Sequence, residues 1–278
     1  MASSLDGRRI LITGIANENS LALSIAKHLL DEGAELICAG LGATPHQPPP
    51  SEAAANFLRD SQEQFERTVA SHLGDDTTTI VFDASLDGSL ADAADEISSR
   101  GLDLDGVLHA IALDRTIRGG AATPLLGVSR ADFLDCMNIS AYSLIGITYA
   151  LFERKLLNRD ASIVALSYLG AERIPSHPYR NIGVAKAALE RIVRELAMEL
   201  GRAASVRVNS VRFSPYAESR AGGAIPDLIK AVAQAAERAP LGNATPLALA
   251  QEIAYLMQPN VMATGETRHV DGGYHIVG

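Results

Sequence analysis

The sequence has no tryptophan, only two cysteines, and an aromatic content of 5%. Cys38 and Cys136 lie far apart in apolar stretches, which excludes a disulfide framework and a thiolate metal site and leaves two reduced, buried thiols. No metal site is expected. Long hydrophobic runs are missing. The nearest, residues 141–152, is interrupted by Ser143, Gly146 and Thr148 and falls short of the roughly 18 residues a membrane helix needs. The opening Met-Ala-Ser-Ser-Leu-Asp-Gly-Arg-Arg has no apolar h-region, so no secretory signal is expected and the expected location is the cytoplasm. Positive charge is in deficit: 24 Lys and Arg stand against 33 Asp and Glu, a formal net charge of −9. That balance argues against nucleic acid and anionic membranes as partners. It leaves room for an acidic carrier protein, for which Arg115, Arg118, Arg173, Arg180 and Arg212 are candidate local basic contacts.

What is present is an ordinary globular composition, 47% hydrophobic and 21% charged over 278 residues. Strand and helix patterns alternate. Short apolar runs at 9–13, 35–39, 78–82, 106–112, 162–167, 206–212 and 267–270 read as strands. Helical spacing lies between them, first on a stripe of Ala22, Ile25, Ala26, Leu29 and Leu30 that stops at Gly33, later in long segments at 131–153 and 179–200. Residues 40–50 hold four prolines and two glycines and read as a loop, followed by helical composition over 51–73. Neither an internal repeat nor a second hydrophobic core is evident. The pattern predicts one α/β domain spanning 1–278: a Rossmann-type, doubly wound parallel sheet with helices on both faces.

Two places carry chemistry. After the first strand comes Gly14-Ile-Ala-Asn-Glu-Asn-Ser20-Leu-Ala22 at the start of a helix, where free backbone N–H groups and the positive end of the dipole suit a pyrophosphate. Gly14 permits the tight turn and Ala22 lets helix and strand pack closely. The second strand ends Ala39-Gly-Leu-Gly42, with no cation to meet a ribose 2′-phosphate, which favours NADH over NADPH. Asp83, ending the third strand, is placed to accept from an adenine amino group. Tyr179 and Lys186, seven residues apart at the start of a helical segment, emerge on one face. An ammonium beside a phenol favours its ionised form and offers donors to a cofactor ribose, and the phenol can donate to a carbonyl oxygen as charge develops there. Ser167-Tyr168-Leu-Gly-Ala-Glu-Arg173 ends the fifth strand, where an open α/β sheet binds its ligands.

With these motifs, Val206-Arg-Val-Asn209 and the terminal His269-Val-Asp-Gly-Gly273, the chain resembles the enoyl-acyl carrier protein reductases, a divergent branch of the short-chain dehydrogenase/reductase superfamily, over nearly its whole length. The Tyr-x3-Lys of ordinary ketoreductases is absent, since Gly183 and Glu172 stand four after Tyr179 and Tyr168. The resemblance implies reduction of a trans-2-enoyl thioester of acyl carrier protein or coenzyme A with NADH, by a homotetramer. It implies that Tyr179 binds the thioester carbonyl, that Lys186 holds the nicotinamide ribose and that Tyr168 is a second tyrosine of the pocket. It places the cofactor on Gly14, Ile15, Ser20, Leu21, Asp83, Ala84, Ala110, Ile111, Ala112, Lys186, Pro215 and Ser219. The sequence departs from the family's pattern in Ala112, where a glycine is usual, and in Phe213-Ser-Pro215, where Ala-Gly-Pro is usual. The proline-rich insert at 42–50 is also untypical. Glu218 replaces a threonine near the expected pyrophosphate, a contact unfavourable by about 1 kcal/mol at ~4 Å, so either Glu218 points away or Ser219 takes that role. A glycine-rich loop is expected at 222–226, as a lid. Two other readings share these residues: reduction of another conjugated enone or a carbonyl, and a dinucleotide sensor without catalysis.

Overall fold

The computed structural model describes residues 5–46 and 49–277. The first four residues, and Gln47 and Pro48 of the expected 40–50 loop, lie outside them. The order is β1 (Arg9–Thr13), α1 (Leu21–Asp31), β2 (Glu35–Gly40), α2 (Glu52–Leu73), β3 (Thr78–Val81), α3 (Asp87–Ser99) and β4 (Leu104–His109). A small antiparallel hairpin follows, β5 (Ile117–Arg118) with β6 (Ala121–Ala122), then α4 (Arg130–Met137), α5 (Ser143–Glu153), β7 (Leu157–Tyr168) and α6 (Arg180–Ala204). The chain ends with β8 (Arg207–Phe213), α7 (Arg220–Gly223), α8 (Leu228–Arg238), α9 (Pro246–Met257) and β9 (Thr267–Val270).

The main sheet has seven strands in the order β3-β2-β1-β4-β7-β8-β9, and every pair in it is parallel. The inner strands are apolar on both faces because helices cover both. Ile10 and Ile12 of β1 join a core with α1, α9 and the buried stripe Phe65, Val69 and Leu73 of α2. Leu11, between them, joins the opposite core with α3, α5 and α6. The chain winds outward from β1 to β3, then returns to lay β4 on the other side of β1. Sheets of this kind bind their ligands in a crevice outside the carboxyl ends of the strands at such a reversal, here β1 and β4.

Two expectations are corrected. The segment 131–153 is not one helix: α4 and α5 are separated by a π-helical turn, Asn138–Tyr142. Ser140 and Ser143 account for the break. The Ser140 hydroxyl accepts from the Leu113 amide and donates to the Leu113 carbonyl, both at 2.9 Å, while Ser143 Oγ donates to the Ile139 carbonyl at 2.7 Å. Hydroxyls competing for backbone groups loosen an α-helix locally, and a π turn absorbs the extra residue. The glycine-rich 222–226 segment is not wholly loop either. Ser219 caps α7, its Oγ accepting from the Gly222 amide at 3.0 Å, and Arg220 of that turn stacks 5.0 Å over the Phe57 ring of α2.

Candidate active site

The crevice begins at Gly14. Its φ is +90°, and a Cβ there would stand 2.2 Å from the Ala110 carbonyl oxygen, so the β1 turn and the end of β4 approach as only glycine allows. Thr13 Oγ1 ties the same two strand ends by donating to the Leu108 carbonyl at 2.8 Å and accepting from the Ala110 amide at 3.3 Å. Ser20 is the residue before α1, but its hydroxyl does not cap the helix. It accepts instead from the Ala16 and Asn17 amides, each at 3.0 Å, and so shapes the loop. No acceptor among the described residues takes the Leu21 or Ala22 amide, so the first turn of α1 presents open donors beside Ile15.

Further along the crevice, Asp83 Oδ1 is occupied by the Ser85 amide at 2.9 Å and the Ser85 hydroxyl at 2.6 Å, a local turn that leaves Oδ2 for a ligand and sets Ala84 at the rim. Asn138, first residue of the π turn, donates from Nδ2 to the Ser85 carbonyl at 3.1 Å and braces that rim from the opposite side. Ala110, Ile111 and Ala112 follow β4, partly exposed along the floor. Beneath them His109 is fully buried, pushed down to about 3 by burial first and by Lys186 second, and therefore neutral. Since Ser143 spends its proton on Ile139, His109 Nε2 donates to Ser143 Oγ across 2.8 Å.

At the other end stand the tyrosines. Tyr168 ends β7, and Tyr179 occupies the position just before α6 rather than its first turn. Their rings meet edge to face with centroids 4.8 Å apart. Gly170 between them has no room for a side chain, because a Cβ would lie 2.3 Å from the Tyr179 ring. Burial, then the neighbouring Tyr168, pushes the Tyr179 phenol above its ordinary range, and burial does the same for Tyr168. Both are thus protonated donors. Lys186, 5% exposed, donates from Nζ to the Leu166 carbonyl at 2.8 Å and the Ile111 carbonyl at 3.3 Å. Burial lowers it to about 8, partly offset by Cys136 and Glu190. Pro215 leaves the end of β8, and Glu218 is held by the Tyr216 hydroxyl, which donates to Oε2 at 3.2 Å. Ser219 spends one lone pair on the α7 cap and keeps its proton to donate.

Several residues of this site went unnoticed in the sequence. Asp114 accepts from the Ile182 amide at the start of α6 at 3.1 Å and from the Thr116 hydroxyl at 2.6 Å, joining the β4 loop to the helix that carries Lys186. Glu190, one turn beyond Lys186, is buried with Arg212: Nε and Nη2 donate to its two oxygens at 2.7 and 2.6 Å, and Ser167 Oγ adds a third bond at 2.6 Å. His177 lies against both tyrosine rings. Their partners are distant in sequence, so no local pattern marks them. His269, Asp271 and His275 bring three ligand-type atoms within 4.8 Å of one another. Arg212 Nη1 sits 3.4 Å from His269 Nε2, which requires the lone pair there and places the proton on Nδ1, facing Asp271, so this grouping is read as a hydrogen-bonded turn.

A glycine turn against open helix amides at the sheet's reversal point, paired phenols at the end of β7, and a buried lysine on the neighbouring strand-end carbonyls define a dinucleotide-binding oxidoreductase of the Rossmann type. Comparison with known proteins narrows this. A family model described as Enoyl-(Acyl carrier protein) reductase matches residues 14–275. The NADH-dependent enoyl-acyl-carrier-protein reductase of Aquifex aeolicus is 34% identical over 99% of this chain and 93% of its own. The NADPH-dependent enzyme of Staphylococcus aureus is 32% identical, covering 99% of both chains. Among solved structures, an Alistipes finegoldii enzyme in complex with NADH superposes with a TM-score of 0.85 at 26% identity, covering 99% of this chain and 90% of that one. The chain belongs to the enoyl-acyl carrier protein reductase family.

The Arg212–Glu190 pair gives a stability test. Arg212→Met strands a buried carboxylate and is expected to cost about 3–5 kcal/mol, whereas the double substitution of both partners by methionine restores most of the loss. Urea unfolding of the single and double variants measures both values, and an unchanged midpoint for Arg212→Met refutes the assignment.

Proposed function

We propose that this protein reduces the carbon–carbon double bond of a trans-2-enoyl thioester, of acyl carrier protein or coenzyme A, with NADH. The observation that carries this reading is that two protonated phenols, Tyr168 and Tyr179, meet edge to face at the end of β7, two residues past the Leu166 carbonyl that the buried Lys186 holds. The donor set suits a dinucleotide. The open amides of Leu21 and Ala22, with Ser20 and Ile15, would hold the pyrophosphate, and Asp83, whose Oδ2 is left by the Ser85 turn, would accept from the adenine amino group. When bound, the nicotinamide supplies a hydride to the substrate β-carbon. Tyr179 donates a hydrogen bond to the thioester carbonyl oxygen, where negative charge collects as the enolate forms, before a proton reaches the α-carbon. Lys186 holds two carbonyls already and has one N–H left for the ribose, so its charge serves binding and orientation rather than proton transfer. Ala110, Ile111 and Ala112, just past β4, would line the cofactor from one side and Pro215 and Ser219, past β8, from the other. One domain spanning 1–278 performs the reaction.

Two substitutions separate the roles. Tyr179→Phe is expected to lower turnover on crotonyl-CoA on the order of 10²-fold with NADH affinity nearly unchanged, because the lost donor matters most in the transition state. Lys186→Ala is expected to weaken NADH binding as well. NADH oxidation followed at 340 nm, beside fluorescence titration of the cofactor, reads both, and full activity of Tyr179→Phe would overturn the assignment.

NADH is the preferred cofactor in this proposal because Ala39, Gly40, Leu41 and Gly42 offer no cation at the β2 end, and His46, which the loop brings back, is engaged with Asp92 at 2.6 Å. Enzymes about as similar to this chain are named for either cofactor, so the local residues decide. Leu41→Arg, adding a partner for the 2′-phosphate, is expected to shift the NADPH-to-NADH ratio of kcat/KM upward by about 10-fold. A wild type with the lower KM for NADPH rejects the preference.

Tyr149, Leu134 and Met198 on α5, α4 and α6 are exposed and apolar, consistent with a cytoplasmic homotetramer of two-fold symmetry paired through these helices. Among the described residues no helix is long and apolar enough to cross a membrane. Light scattering at micromolar protein should return four times the chain mass; a monomer mass, or recovery of the protein with membranes, speaks against this assembly.

A further inference from the structure

The loop between β7 and α6 buries a histidine that the reduction described above does not use. His177 is 2% exposed, and neither Nδ1 nor Nε2 has a hydrogen-bond partner among the described residues. Its ring centroid lies 5.5 Å from that of Tyr168 and 5.8 Å from that of Tyr179, in a three-ring cluster. The two phenol hydroxyls also have no hydrogen-bond partner among the described residues. Burial pushes the imidazole down to about 4, so it is neutral at working pH, with one N–H donor and one lone pair. Two unsatisfied polar atoms in a buried ring destabilise the free protein, and phenylalanine would fill the same space without that cost. Packing therefore gives no reason for an imidazole here. The cluster nonetheless holds every donor and acceptor needed for a short hydrogen-bonded chain once the rings turn.

We propose that His177 is a positioning residue for the two phenols, taking up its hydrogen bonds when substrate is bound. The Tyr168 hydroxyl donates to the free ring nitrogen, the His177 N–H donates to the Tyr179 oxygen, and the Tyr179 hydroxyl donates to the substrate carbonyl. Each bond polarises the next, so the last one, to the carbonyl, strengthens as charge develops. No covalent bond changes at His177, and the imidazole stays neutral throughout. The proposal rests on the enoyl thioester reading, since it assigns Tyr179 the carbonyl contact.

The test compares His177→Phe and His177→Gln with the wild type, by thermal melting and by steady-state kinetics with NADH and crotonyl-CoA. His177→Phe keeps an aromatic ring and removes the two orphaned nitrogens. It is expected to melt roughly 2–6 °C higher while kcat falls about 10-fold and the KM for NADH stays put. His177→Gln, which keeps a donor and an acceptor, is expected to recover part of the rate. His177→Leu replaces the phenylalanine variant if the larger ring does not fit. Wild-type kcat in His177→Phe overturns the proposal, and so does an equal loss in the phenylalanine and glutamine variants, which would mark packing. A wild type inactive on the thioester removes the functional reading and this inference together; an active wild type with an indifferent His177→Phe removes this inference alone.

Discussion

The site depends on burying one ammonium where two strand ends meet. Lys186 lies deep in α6 with its Nζ between the Leu166 carbonyl of β7 and the Ile111 carbonyl just past β4. An unpaired buried cation is costly, and carbonyls at the ends of parallel strands are among the few partners available without a carboxylate. Meeting both fixes the depth and the rotation of α6 against the sheet. The rest of that helix then falls into place: Tyr179, just before it, meets Tyr168, and Glu190, one turn beyond Lys186, reaches Arg212 on β8. Asp114 secures the same arrangement from outside, accepting from the Ile182 amide. Moving the helix by one residue would break all four contacts at once.

The π turn between α4 and α5 does comparable work on the cofactor side. One extra residue in the turn lets Asn138 face Ser85, Ser140 face Leu113, and Ser143 face His109. An uninterrupted α-helix would spread these three side chains over different faces. As folded, they brace the loops after β3 and β4 that line the crevice, so an irregular segment determines how a regular sheet presents its ligand-binding edge.

The alternating α/β pattern was legible because each element is announced by its own apolar period. Element ends were less so. β7 begins at Leu157, not 162, although Asn158, Arg159 and Asp160 look nothing like a strand; Asn158 is drawn in by a hydrogen bond from its Nδ2 to Asp105 at 3.1 Å, a contact no window of sequence contains. The break near residue 140 escaped notice because an inserted residue barely disturbs an apolar stripe. Ser20 was recognised at the right place, yet its hydroxyl serves the loop rather than the helix. Asp83 likewise has one oxygen taken by Ser85 within its own turn, whereas the Ser219 oxygen does cap a helix, the short α7.

By itself the sequence determined what depends on near neighbours along the chain: the order of strands and helices, the glycine turn after β1, the spacing of Tyr179 and Lys186, and the motifs that carry the family likeness. Only the tertiary structure decided which groups are deprived of water and what they meet there. Glu190 is matched by Arg212, 22 residues on, Asp114 by Ile182, 68 residues on, and His177 finds itself against two tyrosine rings with no partner among the described residues for either nitrogen. Desolvation and hydrogen-bond satisfaction are properties of a neighbourhood in space. The shifted ionisation of Lys186, His109 and the tyrosines therefore could not be read from residue order, because it comes into being only when the strands, loops and α6 close around them.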